Sequence, residues 1–478
     1  MTPTNASCKR ERERPSGPNP KVIAPAVGGL FFPQARSLGI DQSDTSPALQ
    51  QKIVYAGIAS RSFAEASTTL ERLADLIVGV KQVERLTESI GNERVNQRTT
   101  ATTAFVALPL VEKFVAPPQS TAPDLVVVMA DGGRLQILDR TAGEETAVES
   151  PPESPVRPPG SAGSLASPEP DWEEEEPPRK GHWREDKVGL LLSMKSEVSV
   201  LDPCPDIPTS FLDVMRIPKL ARQLKKNARV GEDAIVDSGD PEAIEEALTV
   251  DAVYEPPQIE TRQVVASRFC WPAFAPLLAA AAWALGFQGA TRKAFVGDGS
   301  ANNWRLQERF FGSFVPILDF IHALSYVFAA ALAGRPFPVG WACYQQWIRW
   351  VWQGKVGAVI AALEVRQSEL GVPAADEPQT SPAHVVSKTL TYLNNHKDKM
   401  KYDEYRKAGL PITSSLMESA VKQINQRVKG SEKFWSEKGS ESVLQLRADH
   451  LSDGEILETF WERRQAEATG QRRYRRSA

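Results

Sequence analysis

Cysteine is scarce. The chain has four in 478 residues (Cys8, Cys204, Cys270 and Cys343), far apart and in no CxxC or Cys/His spacing. That pattern fits a reduced cytoplasmic protein and argues against structural zinc. No glycine-rich P-loop is present, so nothing suggests a step driven by ATP. The opening "MTPTNASCKRERER" lacks the apolar core of a signal peptide. Long uncharged runs are nearly absent too. The one that needs weighing, Phe269 to Phe287, is largely alanine and is broken in its first half by Pro272 and Pro276. It is expected to be a buried helix of a globular core rather than a membrane span, and no membrane partner is expected.

A strong charge of either sign is also missing, but the net charge of −4 hides an uneven distribution. Residues 141–180 hold ten acids against three bases, together with nine prolines. Removing this window's −7 from the chain's −4 leaves +3, and the chain closes on "QRRYRR" with Arg472, Arg473, Arg475 and Arg476. The acidic total therefore does not exclude a nucleic-acid partner. The window itself reads as an unstructured acidic, proline-rich loop, and residues 1–20 as a disordered basic lead.

Between these segments the pattern alternates. From about 47 to 95 it is helical: Ser62 and Glu65 offer a capping box, "VGV" interrupts, and "KQVERLTESIG" reads as a short helix closed by Gly91. This outline matches a helix-turn-helix, and equally the corner of any three-helix bundle. Strand texture follows in "LVVVMA", in "RLQIL" after an Asp131-Gly132-Gly133 turn, and in "HWREDKVGLLLSM". Residues 203–260 yield no assignment. "KAFVGDG" is a strand ending at Asp298, "SFVPILDF" another ending at Asp319, and a tryptophan-rich stretch from 335 to 410 is helical throughout. Strands followed by alternating helix and strand imply an α/β fold, a mixed sheet with helices on both faces.

Ligands in such a sheet collect at strand ends. Asp131 and Asp298 stand there, each followed by glycine, and Glu418 lies in the first turn of a later helix. Carboxylates from separate chain regions suit two hard cations such as Mg²⁺, with Mn²⁺ as a substitute. Locally, each Asp-Gly also reads as a turn, and Ser415 with Glu418 as a capping box. Asp319 rivals Asp298 as the second acid. His322, three residues after Asp319, either faces the same pocket or is a core histidine bonded to it. Lys422, Arg427, Lys429 and Lys433 surround Glu418 and precede Trp435. They read as a DNA-binding cluster or as a solvated face with a tryptophan over the core.

Five segments occur in order: "VVVMADGG", "HWREDKVG", "RKAFVGDGSANNW", "FVPILDFIHALSYV" and "GLPITSSLMESAVKQINQRVKGSEKFW". Together they resemble the DDE transposases of bacterial insertion sequences, in the Kra group related to Mutator-like enzymes. The likeness covers most of residues 25–455; the acidic window has no counterpart. The resemblance implies a ribonuclease-H-like sheet interrupted by an all-helical insertion, behind an N-terminal helical, helix-turn-helix-like domain. Residues 21–120 would then be the DNA-binding region and 121–334 the first part of the catalytic domain. The insertion would span 335–410, the last acidic helix 411–450, and a C-terminal helix with basic tail 451–478. Asp131, Asp298 and Glu418 would be the catalytic, metal-binding acids, with Asp319 and His322 beside them. The implied activity is metal-dependent cleavage of the element's ends and joining to target DNA in the bacterial nucleoid, by a homo-oligomer on paired DNA ends. A catalytically inactive DNA-binding relative and a ribonuclease-H-like nuclease are the alternatives. The family often has glycines before its last acid, whereas Thr413, Ser414 and Ser415 stand here, which stiffens the approach to Glu418.

Overall fold

The computed structural model describes residues 22–23, 30–31, 45–118, 120–138, 182–222, 255–374, 376–430 and 432–469. The expected basic lead, the acidic window 141–180 and the terminal arginines lie outside the described residues. The chain divides into two compact units, one of residues 1–55 with 455–478 and one of residues 56–454. In the smaller unit two short strands, Val22–Ile23 and Leu30–Phe31, pair antiparallel. There too, Arg464 Nε donates to Gln50 Oε1 at 3.1 Å.

The larger unit is built on a mixed, open six-stranded sheet. Its strands are β1 (Leu125–Ile137), β2 (Trp183–Lys195), β3 (Gln258–Ser267), β4 (Arg292–Gly297), β5 (Val315–Leu318) and the two-residue β6 (Phe434–Trp435). The order is β3-β2-β1-β4-β5, with β6 pairing the far end of β1. Strand β2 runs antiparallel to both of its neighbours, β1 and β3, while β4 and β5 run parallel to β1. The "LVVVM" start of β1 is fully buried because β2 and β4 flank it and helices cover both faces, so an unbroken apolar run replaces alternation.

Helix α1 (Pro47–Ala59) leads into the larger unit. There follow α2 (Phe63–Ala74), α3 (Val80–Ala107), α4 (Trp271–Ala284), α5 (Ala301–Phe310) and α6 (Phe320–Leu332). The helical stretch expected over 335–410 consists of α7 (Phe337–Trp352), α8 (Val356–Leu370), α9 (Pro382–His396) and α10 (Tyr402–Lys407). Then come α11 (Ser415–Val428) and α12 (Glu437–Leu451), with α13 (Ile456–Thr469) in the smaller unit. No described helix is long and apolar enough to cross a membrane. The alanine-rich α4 is instead a core element. A Cβ built on Gly189 of β2 would meet Leu278 Cδ1 at 2.4 Å, so the missing side chain lets α4 lie directly on the sheet.

Three local expectations are corrected. Asp131-Gly132-Gly133 is not a turn: β1 runs straight through it, with Asp131 opposite Val188 and Gly133 opposite Asp186. A side chain on Gly133 would collide with the Asp186 carboxylate, so the glycines make room within a ladder instead of reversing the chain. The third strand is therefore β3, which starts at the end of the unassigned stretch 203–260 and runs on to Ser267. Its polar first half is exposed and its "VVAS" end is buried. Gly91 does not close a helix either. Helix α3 continues to Ala107, and Gly91 lies against the Ser442 backbone of α12, where a Cβ would come within 2.5 Å of a carbonyl oxygen. Arg94 and Arg98 then fasten the same pair of helices through Asp449 and Glu441. At α2, Ser62 Oγ does accept from the Glu65 N–H, and Glu65 reaches back one residue further than expected, to the Arg61 N–H.

Candidate active site

Strand register brings the acids together. In the parallel ladder Met129 lies opposite Val296, so two residues further on Asp131 stands level with Asp298. Gly297 lies opposite Leu318, which sets Asp298 level with Asp319, and the Asp319 N–H extends the ladder to the Gly297 carbonyl at 2.8 Å. Neighbouring strands run about 4.8 Å apart, so the three carboxyl-bearing residues form a row across β1, β4 and β5.

Helix α11 crosses the end of this row. The segment before it is tied to α6 twice: the Phe320 N–H donates to the Ile412 carbonyl (2.9 Å), and the Ser414 N–H to Asp319 Oδ1 (3.0 Å). These bonds deliver Glu418, in the first turn of α11, to the acids. The expected Ser415–Glu418 capping box is not formed. Ser414 occupies the cap position without a side-chain bond, and Ser415 is already the first helical residue, so the Glu418 carboxylate is not engaged in capping.

Each carboxylate has a different surrounding. Asp131 is pushed up to about 7, mainly by burial and next by the charge of Asp298. The Gly132 N–H, which donates to its Oδ1 at 2.7 Å, and His322 oppose the rise, while Glu418 adds to it. Asp298 Oδ1 accepts from the Ser300 N–H and from Asn303 Nδ2, both at 2.9 Å, which fixes the carboxyl plane and leaves Oδ2 outside these bonds. Burial also raises Glu418, with His322 lowering it and Asp319 raising it.

Asp319 is built differently. Only 1% exposed, it caps α6 by accepting from the Ile321 and His322 N–H groups (3.3 and 3.2 Å). It also accepts from His322 Nδ1 (2.5 Å) and the Ser414 N–H. Both its oxygens are spoken for by protein donors, so Asp319 orients His322 and anchors the approach to Glu418. His322 keeps 26% of its side chain exposed. Burial works against its charge, but the Asp319 hydrogen bond and the charges of Asp319, Asp298 and Glu418 prevail and lift it to about 10. It is an imidazolium at neutral pH, set among acids that would otherwise repel one another.

The basic cluster separates into two kinds. Arg427 is 2% exposed. Its Nε donates to the Gly57 carbonyl (2.9 Å), and its guanidinium lies 4.4 Å from the Phe63 ring centroid and 5.1 Å from that of Trp435. Burial and the nearby Arg447 lower it to about 10. Trp435 is buried, with Nε1 donating to the Val428 carbonyl. These two residues, expected as DNA contacts, are buried core residues: the guanidinium bonds a carbonyl through Nε and lies against two rings, while its Nη2 is buried without a hydrogen-bond partner. Lys422, Lys429 and Lys433 remain partly exposed on or just after α11. Lys429 Nζ lies 5.9 Å from the Trp183 ring centroid, and Lys433 Nζ reaches the Gln426 carbonyl at 3.2 Å.

Among the described residues no group of three or more His, Cys, Asp or Glu side chains is spaced to hold one metal ion. Mg²⁺ asks for less: one or two carboxylates, with water and phosphate oxygens completing the shell. The donor set fits that demand, being all-carboxylate oxygen, with Asp131 and Asp298 level on adjacent strands and Asp298 Oδ2 outside the internal bonds. Two supports escaped sequence reasoning. Asn303 was legible in principle, five residues after Asp298 in "GDGSANNW"; Tyr392, whose hydroxyl donates to the Asp298 carbonyl at 2.9 Å, was not, being 94 residues away. No protein-family model and no curated protein matches this chain.

Proposed function

We propose that the protein is a DDE-type DNA transposase with a ribonuclease-H-like catalytic domain, which cleaves the ends of its insertion sequence and joins the freed 3′-hydroxyl to target DNA. The observation that carries this reading is the convergence of Asp131, Asp298 and Glu418 from three distant chain segments onto one end of a mixed sheet. The sheet order, with three antiparallel strands followed by two parallel ones and a helical insertion before the last acid, supports the same reading.

In this reading Asp131, Asp298 and Glu418 would hold two Mg²⁺ or Mn²⁺ ions, which when bound activate the attacking oxygen and stabilise the leaving one in phosphoryl transfer. Asp319 holds His322 in place, and His322 supplies a fixed positive charge beside phosphate. Lys422, Lys429 and Lys433 offer phosphate contacts next to Glu418. The partners are the terminal inverted repeats and target DNA, with a homo-oligomer pairing two ends in the bacterial nucleoid.

The test is Mg²⁺-dependent nicking of a duplex carrying the gene's own flanks against one with scrambled flanks. Nicking at the boundary of the native flanks alone is expected. Equal nicking of both duplexes would favour a ribonuclease-H-like nuclease instead. End binding without nicking would favour an inactive DNA-binding relative.

A further inference from the structure

We infer that Tyr392, on helix α9 of the inserted helices, is a positioning residue for the second acid, so that the insertion sets the aim of Asp298. This rests on the metal-dependent reading of the acid site. Four observations converge on the loop Asp298-Gly299-Ser300. The Tyr392 hydroxyl donates to the Asp298 carbonyl at 2.9 Å. Gly299 has φ +100°, and a Cβ there would meet Tyr392 Cε2 at 2.8 Å and His396 Nε2 at 3.2 Å, so the loop backbone lies against the α9 side chains. Tyr392 is itself held by Tyr326, one helical turn beyond His322, with ring centroids 3.8 Å apart and planes within 9°. His396, one turn further along α9, packs edge-on against Tyr392 and lies tilted against Trp304 of α5, ring centroids 5.8 Å apart.

The physical consequence follows from what each bond controls. Ser300 and Asn303 fix the Asp298 side chain relative to the start of α5. Nothing in those two bonds fixes the loop relative to β1 and α11, where the other acids stand. The Tyr392 bond adds a tie of a different kind, from the Asp298 peptide to α9, whose Tyr392 ring is stacked on Tyr326 of α6, the helix that carries His322 and is capped by Asp319. A carboxylate must be placed within about 0.5 Å for a metal or phosphate to be held productively. Losing one half-buried hydroxyl-to-carbonyl bond is enough to loosen it.

The experiment compares the wild-type full chain with Tyr392→Phe and Tyr405→Phe in Mn²⁺ titrations read by electron paramagnetic resonance, alongside thermal melting and nicking kinetics. Tyr405 is the control, because its hydroxyl also joins the inserted helices to a sheet carbonyl, that of Pro316 at 3.3 Å, away from the acids. Both substitutions keep the ring, so stacking and folding persist. Tyr392→Phe is expected to weaken Mn²⁺ binding about fivefold or more, roughly what one net hydrogen bond corresponds to. It should lower kcat for nicking with KM for DNA unchanged, while Tyr405→Phe binds Mn²⁺ as wild type does. If the wild type binds Mn²⁺ and Tyr392→Phe matches it, or if both variants weaken binding alike, the positioning role is overturned and the metal reading survives. If the wild type binds no Mn²⁺, the metal reading itself fails, and this inference with it.

Discussion

Replacing Asp319 with asparagine isolates what the buried acid does without removing its bulk. The native carboxylate accepts four hydrogen bonds, from the Ile321, His322 and Ser414 N–H groups and from His322 Nδ1. An amide has a single acceptor oxygen. In Asp319→Asn an oxygen kept at the Oδ1 place can hold the Ile321 and Ser414 bonds, but the amide NH₂ then faces the His322 N–H and Nδ1 donors. Two bonds to a charged acceptor are lost, each worth roughly 1.5–3 kcal/mol, which gives ~3–6 kcal/mol, and the range for breaking a buried ion pair narrows this to ~3–5 kcal/mol. Folding raises His322 from its ordinary 6.5 to about 10. The pair's contribution is therefore complete below about pH 6.5 and fades as pH climbs through 10. Urea unfolding of both proteins, in chelator, should show Asp319→Asn destabilised by ~3–5 kcal/mol at pH 6 and by clearly less at pH 10. Comparing the two proteins at each pH cancels groups that titrate alike in both. An equal gap at both pH values, or a gap under about 1 kcal/mol at pH 6, would refute the assignment of Asp319 as the partner of a charged His322.

Two further substitutions test the neighbourhood. Gly299→Ala would place a side chain at φ +100° within 2.8 Å of the Tyr392 ring. A loss of about 1–3 kcal/mol in melting and a marked drop in nicking are expected, and a variant as stable and active as wild type would contradict the close approach. Arg427→Met should cost ~1–3 kcal/mol of stability, since it leaves the Gly57 carbonyl unpaired, yet leave the salt dependence of DNA binding unchanged. A folded Arg427→Met protein with normal stability and a shallower salt slope would return Arg427 to the DNA-contacting surface.

Strand composition made the sheet legible where burial dominates. "LVVVM", "VGLLLSM" and "KAFVG" are apolar enough that only a covered strand explains them, and Asp298 and Asp319 stand immediately after β4 and β5 as expected. What failed were readings in which a local rule met a long-range partner. Asp131-Gly132-Gly133 has turn composition, but ladder pairing with β2 straightens it. Gly91 resembles a helix stop until Ser442, 351 residues later, arrives to fill its place. Ser415 and Glu418 have capping-box spacing, but the helix begins one residue too early for Ser415 to cap it. The Arg427 charge suggested a surface, and only the rings of Phe63 and Trp435 make its burial tolerable. In the candidate site, the acids that the strand register brings level could be named from their places at strand ends, whereas the groups that hold them, Ser414 N–H, Asn303 and Tyr392, depend on tertiary contacts.

The most direct test of the central claim is Mg²⁺-dependent nicking at the element boundary by the wild type against Glu418→Gln. The substitution keeps shape and removes the charge. Boundary nicking by the wild type is expected, with its loss in Glu418→Gln while the variant is still folded and still binds the ends. Equal nicking by the two proteins would contradict it and remove Glu418 from the catalytic set.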